Sequence, residues 1–253
     1  MSTSNQSRTA ASVSVSVVGA GRVGRAAVAA LGAAGYEVHG PTGRGEPVAA
    51  ATIVLLCVPD REIPDAATAV RGNAGYVGHT SGATPVADSG VDFGLHPLRA
   101  FVGDEGADAF AGIGCAVAGT TPEALQIAEE LAVAVGGRPF EVRDDQRAGY
   151  HAAASLASNY LVTLEAAAER LAEASGLPEG FRAHLVPLVR GTVDNWAAHG
   201  PRDALTGPIV RGDEPTVDRQ RAAVEASAPE LLPLFDELTD RTRALVGTEG
   251  SPA

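Results

Sequence analysis

The chain contains 253 residues, of which 45% are hydrophobic and 20% are charged, so it can fill a packed core and is not intrinsically disordered. Its formal net charge is −12, and every basic residue is an arginine, without a clustered basic patch. Because phosphate neutralisation requires clustered basic side chains, this balance excludes a nucleic-acid-binding surface.

Neither a membrane protein nor a secreted protein is expected. The sequence has no run of 18 apolar residues, and residues 1–11 are polar, without the apolar segment of a signal peptide. Cys57 and Cys115 lie in apolar segments and lack the spacing of zinc ligands. We therefore expect a cytoplasmic protein that binds no metal, no membrane and no nucleic acid.

Predicted strands and helices alternate through the first part of the chain. The strands are residues 13–18, 35–39, 51–58, 75–79, 91–95, 114–118 and 139–142; one helix follows residues 19–24 and ends near residue 34, and another covers 122–135. Segment 51–58 is almost continuously apolar, as expected of a parallel strand buried on both faces. This alternation predicts an α/β fold with a doubly wound parallel sheet of the Rossmann type.

The strand pattern nearly disappears after residue 144, where helical patterns rich in Ala, Leu and Glu begin. These patterns cover residues 146–175, 180–199 and 216–245, and glycine and proline predict an ordered loop at 205–213. We therefore divide the chain into a disordered N-terminus (1–11), a dinucleotide-binding Rossmann domain (12–144), an all-helical domain for substrate binding and dimerisation (145–246) and a polar tail (247–253).

The turn after the first predicted strand carries the spacing Gly19-x-Gly21-x-x-Gly24. In such a turn the glycines permit a tight bend, a close approach of the pyrophosphate to the backbone, and close packing of helix on strand. The amides of Arg22 and Val23 begin the following helix, where its dipole favours a phosphate. These five residues are the predicted pyrophosphate site of a nicotinamide dinucleotide; a glycine-rich turn that binds nothing is the alternative.

The residues after the second predicted strand indicate which dinucleotide is bound. NAD-binding domains usually place Asp or Glu there, to bind the ribose hydroxyls. This chain instead continues with Thr42 and Arg44, which are suited to a 2′-phosphate. We therefore predict NADP in preference to NAD, the alternative being a solvated Arg44 with Glu46 nearby.

Three polar clusters directly follow predicted strands, where a doubly wound sheet binds its ligands. They are Val58, Pro59 and Asp60; His79 and Ser81; and His96 and Arg99. We expect the first cluster and His79 to contact the cofactor. Ser81 and His96 are predicted to act in catalysis.

A fourth cluster opens the helical part of the chain. His151, Ser155 and Asn159 are spaced four residues apart, so they form one polar stripe on an otherwise apolar predicted helix. Since buried polar groups need partners or a wet cavity, we predict that this stripe lines the catalytic cleft and that its three residues act in catalysis; a hydrogen-bonded seam between helices is the alternative.

These residues suit hydride transfer to a carbonyl, which creates an alkoxide that needs a proton donor and electrostatic stabilisation. Histidine is the natural donor near neutral pH, and the chain has no lysine for that role. We expect His96 or His151 to be the donor. Arg99, and Arg211 in the predicted loop, are expected to hold a substrate carboxylate, although Arg211 is equally compatible with a local ion pair.

The segments GAGRVG, LLCVPD, HTSG, HPLRAF, YHAAASLASNY and LTGPIVRGD together resemble one family. It comprises Rossmann-like proteins that carry a C-terminal helical domain of unknown function, within the wider 6-phosphogluconate-dehydrogenase-like group. The resemblance extends from residue 13 to residue 246. It implies an NADP-dependent oxidoreductase and leaves the substrate open.

More distant relatives imply roles for individual residues. The pair His96-Pro97 is similar to that of prephenate dehydrogenases, whose histidine contacts the substrate hydroxyl. The helix from His151 to Asn159 is similar in position to the catalytic helix of β-hydroxyacid dehydrogenases, in which a lysine precedes the asparagine by four residues. Ser155 stands in that place here, so that mechanism does not carry over. Ser81 corresponds to the serine that contacts substrate in that group.

The leading hypothesis is an NADP-dependent oxidoreductase of a small oxo or hydroxy acid, with ketopantoate suggested by resemblance. Alternatives on the same scaffold are a prephenate-type dehydrogenase, an imine reductase and a deazaflavin-dependent reductase. A non-catalytic NADP-binding sensor is the third hypothesis. By analogy with similar two-domain proteins, we expect a homodimer formed through the predicted helices 146–175 and 180–199.

Overall fold

The computed structural model of the protein describes residues 13–247. It divides between Ser158 and Asn159 into two compact units, which are described separately below. The first unit thus continues beyond the boundary predicted at residue 144. The predicted disordered N-terminus lies outside the described residues, as does the predicted tail apart from Gly247.

Within the described residues, the first unit contains a seven-stranded sheet and four α-helices. The strands are β1 (Ser14–Val18), β2 (Glu37–Thr42), β3 (Ala51–Leu56), β4 (Ala74–His79), β5 (Phe93–Pro97), β6 (Gly114–Gly119) and β7 (Arg138–Glu141). The helices are α1 (Arg22–Ala33), α2 (Ile63–Val70), α3 (Pro122–Ala134) and α4 (Arg147–Ala157). The strand order is β2-β1-β3-β4-β5-β6-β7. The predicted Rossmann-type α/β fold followed by helices is confirmed, although the sequence did not reveal α2.

The sheet is mostly parallel. Strands β1 to β5 run in one direction, whereas β6 pairs antiparallel with β5 and parallel with β7. This reversal arises because residues 98–113 join β5 to β6 without a helical crossover. The carboxyl ends of β1 to β5 therefore share one edge with segment 98–113, and we call this edge the carboxyl edge.

The chain leaves β1 for β2 on one side and returns to β3 on the other side of β1. Such a switch in strand order opens a crevice at the carboxyl edge, which is where ligands of open α/β sheets bind. The crevice begins directly after β1, at the predicted glycine turn. The topology therefore places that turn between the loops that follow β2 and β3.

Both faces of the sheet are covered, which explains the continuous apolar pattern of β3. Ile53 and Leu55 pack in one core with Val15, Val17 and residues of α1 and α3. Val54 and Leu56 point to the other face, into a second core with Ile63 of α2. Alternate strand residues thus reach opposite cores, and neither face of β3 is left polar.

The second unit is helical throughout its described elements. It contains α5 (Asn159–Ala174), α6 (Arg182–Asp203, interrupted at Gly200), α7 (Glu214–Ser227) and α8 (Leu232–Gly247). The predicted helix at 216–245 is divided where Pro229 follows Ala228, since the backbone of Ala228 is not helical. The loop predicted at 205–213 is present and ends at Asp213, whose side chain accepts a hydrogen bond from the amide of Thr216 and caps α7. Over residues 13–247, no helix has the length and hydrophobicity needed to cross a bilayer.

Candidate functional site

The turn after β1 has the geometry that a bound pyrophosphate requires. Gly19 adopts a φ of +108°, and a Cβ atom there would lie 2.3 Å from the carbonyl oxygen of Cys57. A Cβ atom on Gly24 would lie 1.9 Å from the carbonyl oxygen of Gly19, so α1 packs directly on the turn. Around Gly21, by contrast, a Cβ atom would meet nothing within 4 Å. The outer side of the turn is therefore open to a ligand.

The N-terminus of α1 supplies hydrogen-bond donors to that open space. Gly21 is the N-cap residue and has no side chain that could cap the helix, and the first turn of α1 contains no acidic residue. The amides of Arg22, Val23 and Gly24 are the first of the helix, which have no intrahelical acceptor. Together with the helix dipole they favour an anion at this point. The residues present fit the pyrophosphate of a dinucleotide.

Segment 98–113 lies beside the same turn. The Arg22 guanidinium donates to the carbonyl oxygen of Phe101 at 2.9 Å, while the Phe101 ring is buried against that of Phe110. Phe101 thus belongs to the core and does not fill the crevice. Arg99 in this segment is exposed and donates to the carbonyl oxygen of Ala109 at 2.8 Å. Its predicted contact with a substrate remains a prediction.

The loop after β2 places its two predicted phosphate ligands differently. Thr42 is almost completely buried, and its carbonyl oxygen accepts a hydrogen bond from the amide of Gly19 at 2.8 Å. Arg44 is exposed and forms an ion pair of 2.6 Å with Glu62, in the 3₁₀ turn Asp60–Glu62 after β3. Glu46 is engaged within the β2 loop, where it accepts from the amide of Gly43. The exposed side chain of Arg44 therefore lies where a ligand in the crevice could contact it, although it is paired with Glu62. The side chain of Thr42 is buried and could not make such a contact.

The residues after β3 form the opposite wall of the crevice. Val58 is partly buried, whereas Pro59 and Asp60 are exposed. The carboxylate of Asp60 is close enough to His79 and His96 to favour the protonated form of each. It raises the pKa of both histidines, but larger effects, described below, lower both values overall. Asp60 thus connects the dinucleotide side of the edge with its histidine side.

His79 is fully buried at the end of β4. Its Nδ1 accepts a hydrogen bond from the amide of Ser81 at 3.2 Å, which places the ring proton on Nε2. Burial, and then the Arg147 cation, lower the pKa of His79 to about 4, so the ring is neutral at pH 7. A direct contact of this side chain with a cofactor, as predicted, would require the interior to open.

Ser81 is also engaged in its own turn. Its hydroxyl accepts from the amides of Ala83 and Thr84 and lies 2.9 Å from the Thr84 hydroxyl. The hydroxyl therefore holds the turn that follows β4. The predicted catalytic contact of Ser81 would require one of these hydrogen bonds to be exchanged.

His96 on β5 forms a pair with Tyr150 on α4. The His96 Nδ1 atom lies 2.6 Å from the Tyr150 hydroxyl oxygen, and the ring of His96 lies against the Cα of Gly82, where a Cβ atom would approach it to about 3 Å. Burial, and then His151 and Arg147, lower the pKa of His96 to about 4. Burial raises the pKa of Tyr150 to about 12, so its hydroxyl remains protonated and can donate to Nδ1.

The position of α4 along β5 explains this pair. Arg147 lies over Gly94, where a Cβ atom would be 2.6 Å from its terminal nitrogen, and Tyr150 reaches His96. Arg147 and Tyr150 are three residues apart on the helix and Gly94 and His96 are two residues apart on the strand, so each pair lies on one face of its element. Gly94 is the residue that lets the buried arginine fit.

Arg147 anchors this arrangement. Its guanidinium is buried, forms an ion pair of 3.0 Å with Asp144 and donates to the carbonyl oxygen of Ser81. Partial burial raises the pKa of Asp144. Hydrogen bonds from the amides of Ala87 and Val86, together with the Arg147 cation, lower that pKa by more than burial raises it, so the carboxylate stays charged. Among the described residues, one terminal nitrogen of Arg147 and Nε2 of His79 are buried without a hydrogen-bond partner.

The predicted polar stripe is only partly formed. His151 is exposed on α4 with its ring centroid 6.5 Å from that of His96, and Ser155 is half-buried on the same helix. The prediction that one helix carries His151, Ser155 and Asn159 is wrong, because the backbone of Ser158 is not helical (φ −122°, ψ −73°) and Asn159 begins α5. Asn159 therefore belongs to the second unit, as does the exposed Arg211.

Sequence reasoning missed three residues of this edge. No catalytic role was predicted for Tyr150, and Arg147 and Glu62 were not considered. A glycine within a strand was the available signal for Arg147, because it often marks a close approach by another group. Over residues 13–247, no group of three or more His, Cys, Asp or Glu side chains is placed to hold a metal ion.

The comparisons with known structures find the same architecture elsewhere. The NADP oxidoreductase candidate BF3122 of Bacteroides fragilis is 20% identical, with a TM-score of 0.76 over 93% of this chain and 99% of that one. Protein TM1727 of Thermotoga maritima is 25% identical, with a TM-score of 0.74 over 92% and 98%. An imine reductase of Myxococcus stipitatus is 16% identical, with a TM-score of 0.54 over 91% and 95%. These similarities support the Rossmann fold with a helical C-terminal part.

Comparison with proteins of curated function finds no match to this sequence. A family model does match, over residues 113–242, which is more than half of the chain and includes the end of the sheet, α4 and most of the second unit. This match agrees with the resemblance inferred from the sequence segments. The chain therefore belongs to the family described as a domain of unknown function, DUF2520.

Proposed function

We propose that this chain is an NADP(H)-dependent oxidoreductase that interconverts a small oxo acid and the corresponding hydroxy acid. The observation that carries the proposal is that one edge of one sheet presents both an open glycine turn and a half-buried histidine–tyrosine pair. The first feature suits a dinucleotide, and the second suits a reacting carbonyl. The Bacteroides fragilis and Myxococcus stipitatus proteins, which are named for NADP oxidoreductase and imine reductase activity, support the same reaction class.

The dinucleotide would be held by the first turn of α1 and the loops beside it. The amides of Arg22, Val23 and Gly24 would bind the pyrophosphate, and Val58 and Pro59 would line the other side of the crevice. The bound nicotinamide would supply or accept the hydride. This chain's own residues would do the rest, namely exclude water and hold the substrate oxygen.

His96 would hold the oxygen of the reacting carbonyl. With Tyr150 donating to Nδ1, the proton of the neutral ring sits on Nε2, and this N–H can donate to a carbonyl oxygen on which negative charge develops. A neutral imidazole is a poor source of a proton but a good preorganised donor. The proton that converts the alkoxide to the hydroxyl group would come from solvent by way of His151, which is exposed and lies beside His96.

The test is dinucleotide binding followed by a substrate screen. Thermal shift with NADPH, NADH and a reduced deazaflavin identifies the cofactor, and loss of NADPH absorbance is then measured with oxo acids, ketopantoate first, and with cyclic imines and prephenate as alternatives. We expect NADPH to bind and an oxo acid to be reduced. If no dinucleotide stabilises the protein, the proposal is wrong.

We also propose that a second copy of this chain covers α6. This 22-residue helix has no buried residue, and its Leu188 and Trp196 side chains are 67% and 57% exposed. They are eight residues apart and lie on one face of the helix. A helix of this kind gains its stability from packing, and a symmetric dimer provides it through the same surface twice.

A further inference from the structure

The ion pair between Arg44 and Glu62 crosses the crevice at the carboxyl edge. Arg44 lies in the loop after β2 and Glu62 in the 3₁₀ turn after β3, and 2.6 Å separates their charged atoms. Because β1 lies between β2 and β3, this ion pair joins the two loops that flank the residues following β1. Those residues are the glycine turn, so the pair spans the adenosine side of the proposed dinucleotide site.

A second arginine points to the same carboxylate. The Arg61 Nε atom lies 4.0 Å from the Glu62 oxygen that Arg44 contacts. The arginine side chains are 83% and 87% exposed, whereas the Glu62 side chain is only 28% exposed. Two solvated cations thus converge on one half-buried anion. This is the charge arrangement that binds a phosphate, with a carboxylate in its place.

We propose that Arg44 and Arg61 bind the 2′-phosphate of the dinucleotide, and that Glu62 is an internal anion which must release Arg44 when that phosphate binds. The inference rests on the proposed function and extends it, because it names the residues that set the preference between NADPH and NADH. Glu62 and Arg61 become determinants of specificity, a role that the sequence assigned to Arg44 and Thr42.

The chemistry of the two dinucleotides makes Glu62 act on them in opposite directions. A 2′-phosphate carries more negative charge than a carboxylate and has three acceptor oxygens, so it can displace Glu62 from Arg44, but the carboxylate left nearby repels it. The free 2′-hydroxyl of NADH is neutral and can donate to the Glu62 carboxylate without disturbing the ion pair. Glu62 therefore opposes NADPH binding and tolerates NADH.

The experiment compares dissociation constants of NADPH and NADH for the full chain and for Glu62→Gln, Arg44→Gln and Arg61→Gln, from the fluorescence of the bound nicotinamide. We expect Glu62→Gln to tighten NADPH binding roughly two- to fivefold, the range that an exposed ion pair contributes, and to leave NADH unchanged or weaker. Arg44→Gln should weaken NADPH binding about tenfold or more, and Arg61→Gln less, with NADH within about twofold.

Matched controls separate this effect from a change in net charge. Glu129→Gln on α3 and Arg143→Gln after β7 alter the charge by the same amounts, and both residues are exposed away from the carboxyl edge. Adenosine 2′,5′-bisphosphate and AMP, used as competitors, lack the nicotinamide and differ only in the 2′-phosphate, so the pair isolates the contribution of that phosphate. We expect Glu62→Gln to strengthen competition by the bisphosphate only.

The failures are distinguishable. If the unmodified chain binds neither dinucleotide, the proposed function and this inference both fail. If it binds them and Glu62→Gln changes neither affinity, or changes both by the same factor as Glu129→Gln, the proposed function stands and the role of Glu62 is refuted. If Arg44→Gln leaves the ratio of the two dissociation constants unchanged, the phosphate site lies elsewhere.

Discussion

The Nδ1 atom of His96 lies 2.6 Å from the hydroxyl oxygen of Tyr150, although 54 residues separate them in the chain. The contact depends on α4, which Arg147 anchors over Gly94 one helical turn before Tyr150. In this arrangement the tyrosine hydroxyl orients the imidazole, and when the hydroxyl donates to Nδ1 the ring proton lies on Nε2. The orientation of the His96 ring is therefore determined in part by a helix that begins after the last strand.

Replacement of either member of this pair is expected to lower turnover. Tyr150→Phe removes the hydrogen bond that orients His96 and should reduce kcat roughly tenfold. His96→Gln removes the donor to the carbonyl oxygen and should reduce kcat by about a hundredfold or more. Both are measured under steady-state conditions with the substrate that the screen identifies.

The matched control for Tyr150→Phe is Tyr36→Phe, because Tyr36 directly precedes β2 and so lies at the opposite edge of the sheet. It should leave kcat unchanged. Equal turnover in Tyr150→Phe and in the unmodified protein would show that the pair has no part in the reaction.

Gly21, the N-cap residue of α1, and Gly32, within α1, should respond differently to substitution. Gly21 has an ordinary extended backbone and open space around it, so Gly21→Val should fold but block the approach of the pyrophosphate, weakening NADPH binding about tenfold or more. Gly32→Ala, also in open space, should leave binding unchanged and stabilise α1 by about 0.5–1 kcal/mol. Thermal shift with and without NADPH measures both effects. Normal binding by a folded Gly21→Val protein would place the dinucleotide elsewhere.

Arg147 should be important for stability in a way that a neighbouring exposed arginine is not. Arg147→Met leaves the Asp144 carboxylate without its buried cation and should lower the free energy of unfolding by about 3 kcal/mol. Arg143→Met removes an exposed ion pair with Asp145 and should leave the urea midpoint nearly unchanged. Urea denaturation followed by circular dichroism compares the two. Similar midpoints for both variants would mean that α4 is held by other contacts.

Stability should decline as the pH falls from about 6.5 towards 4. The folded-state pKa of His79 is lowered to about 4 from its ordinary value of 6.5, so over this interval the unfolded chain binds more protons than the folded one. The contribution of His79 to the free energy of unfolding is complete above about pH 6.5. Its loss at low pH lowers that free energy by about 3 kcal/mol at most.

Urea denaturation at pH 7.5 and pH 5.0 measures this loss, and His79→Gln should reduce the difference between the two values. His39→Gln, at a half-buried position on β2, is the control and should preserve it. If His79→Gln loses as much stability between pH 7.5 and pH 5.0 as the unmodified protein does, the pH dependence belongs to other groups.

Charge introduced on the exposed face of α6 should prevent dimerisation. Trp196→Glu is expected to yield a folded monomer by size-exclusion chromatography with light scattering, whereas the unmodified chain elutes as a dimer. Val133→Glu replaces another apolar side chain, 61% exposed on α3, and should remain dimeric. A monomeric unmodified chain would contradict the proposed dimer.

Much of the fold could be predicted from the sequence because its signals are local. The alternation of strands and helices, the continuous apolar pattern of β3 and the glycine spacing after β1 each depend on a few neighbouring residues, and each led to the correct element. The same reasoning placed His79 and His96 at the ends of strands on one edge. Helix boundaries were less well predicted, because no glycine or proline marks the break at Ser158 in the sequence.

The pairing of side chains across the edge was decided by the tertiary structure alone. The sequence by itself determined that a glycine turn and two histidines lie at the ends of strands of one sheet, because backbone geometry and burial impose a short-range pattern on residue types. Only the packed chain decided that Tyr150 reaches His96, that Arg147 is buried over Gly94 and that Glu62 meets Arg44. Those contacts join distant segments, and they depend on strand order and helix register, which no local pattern records.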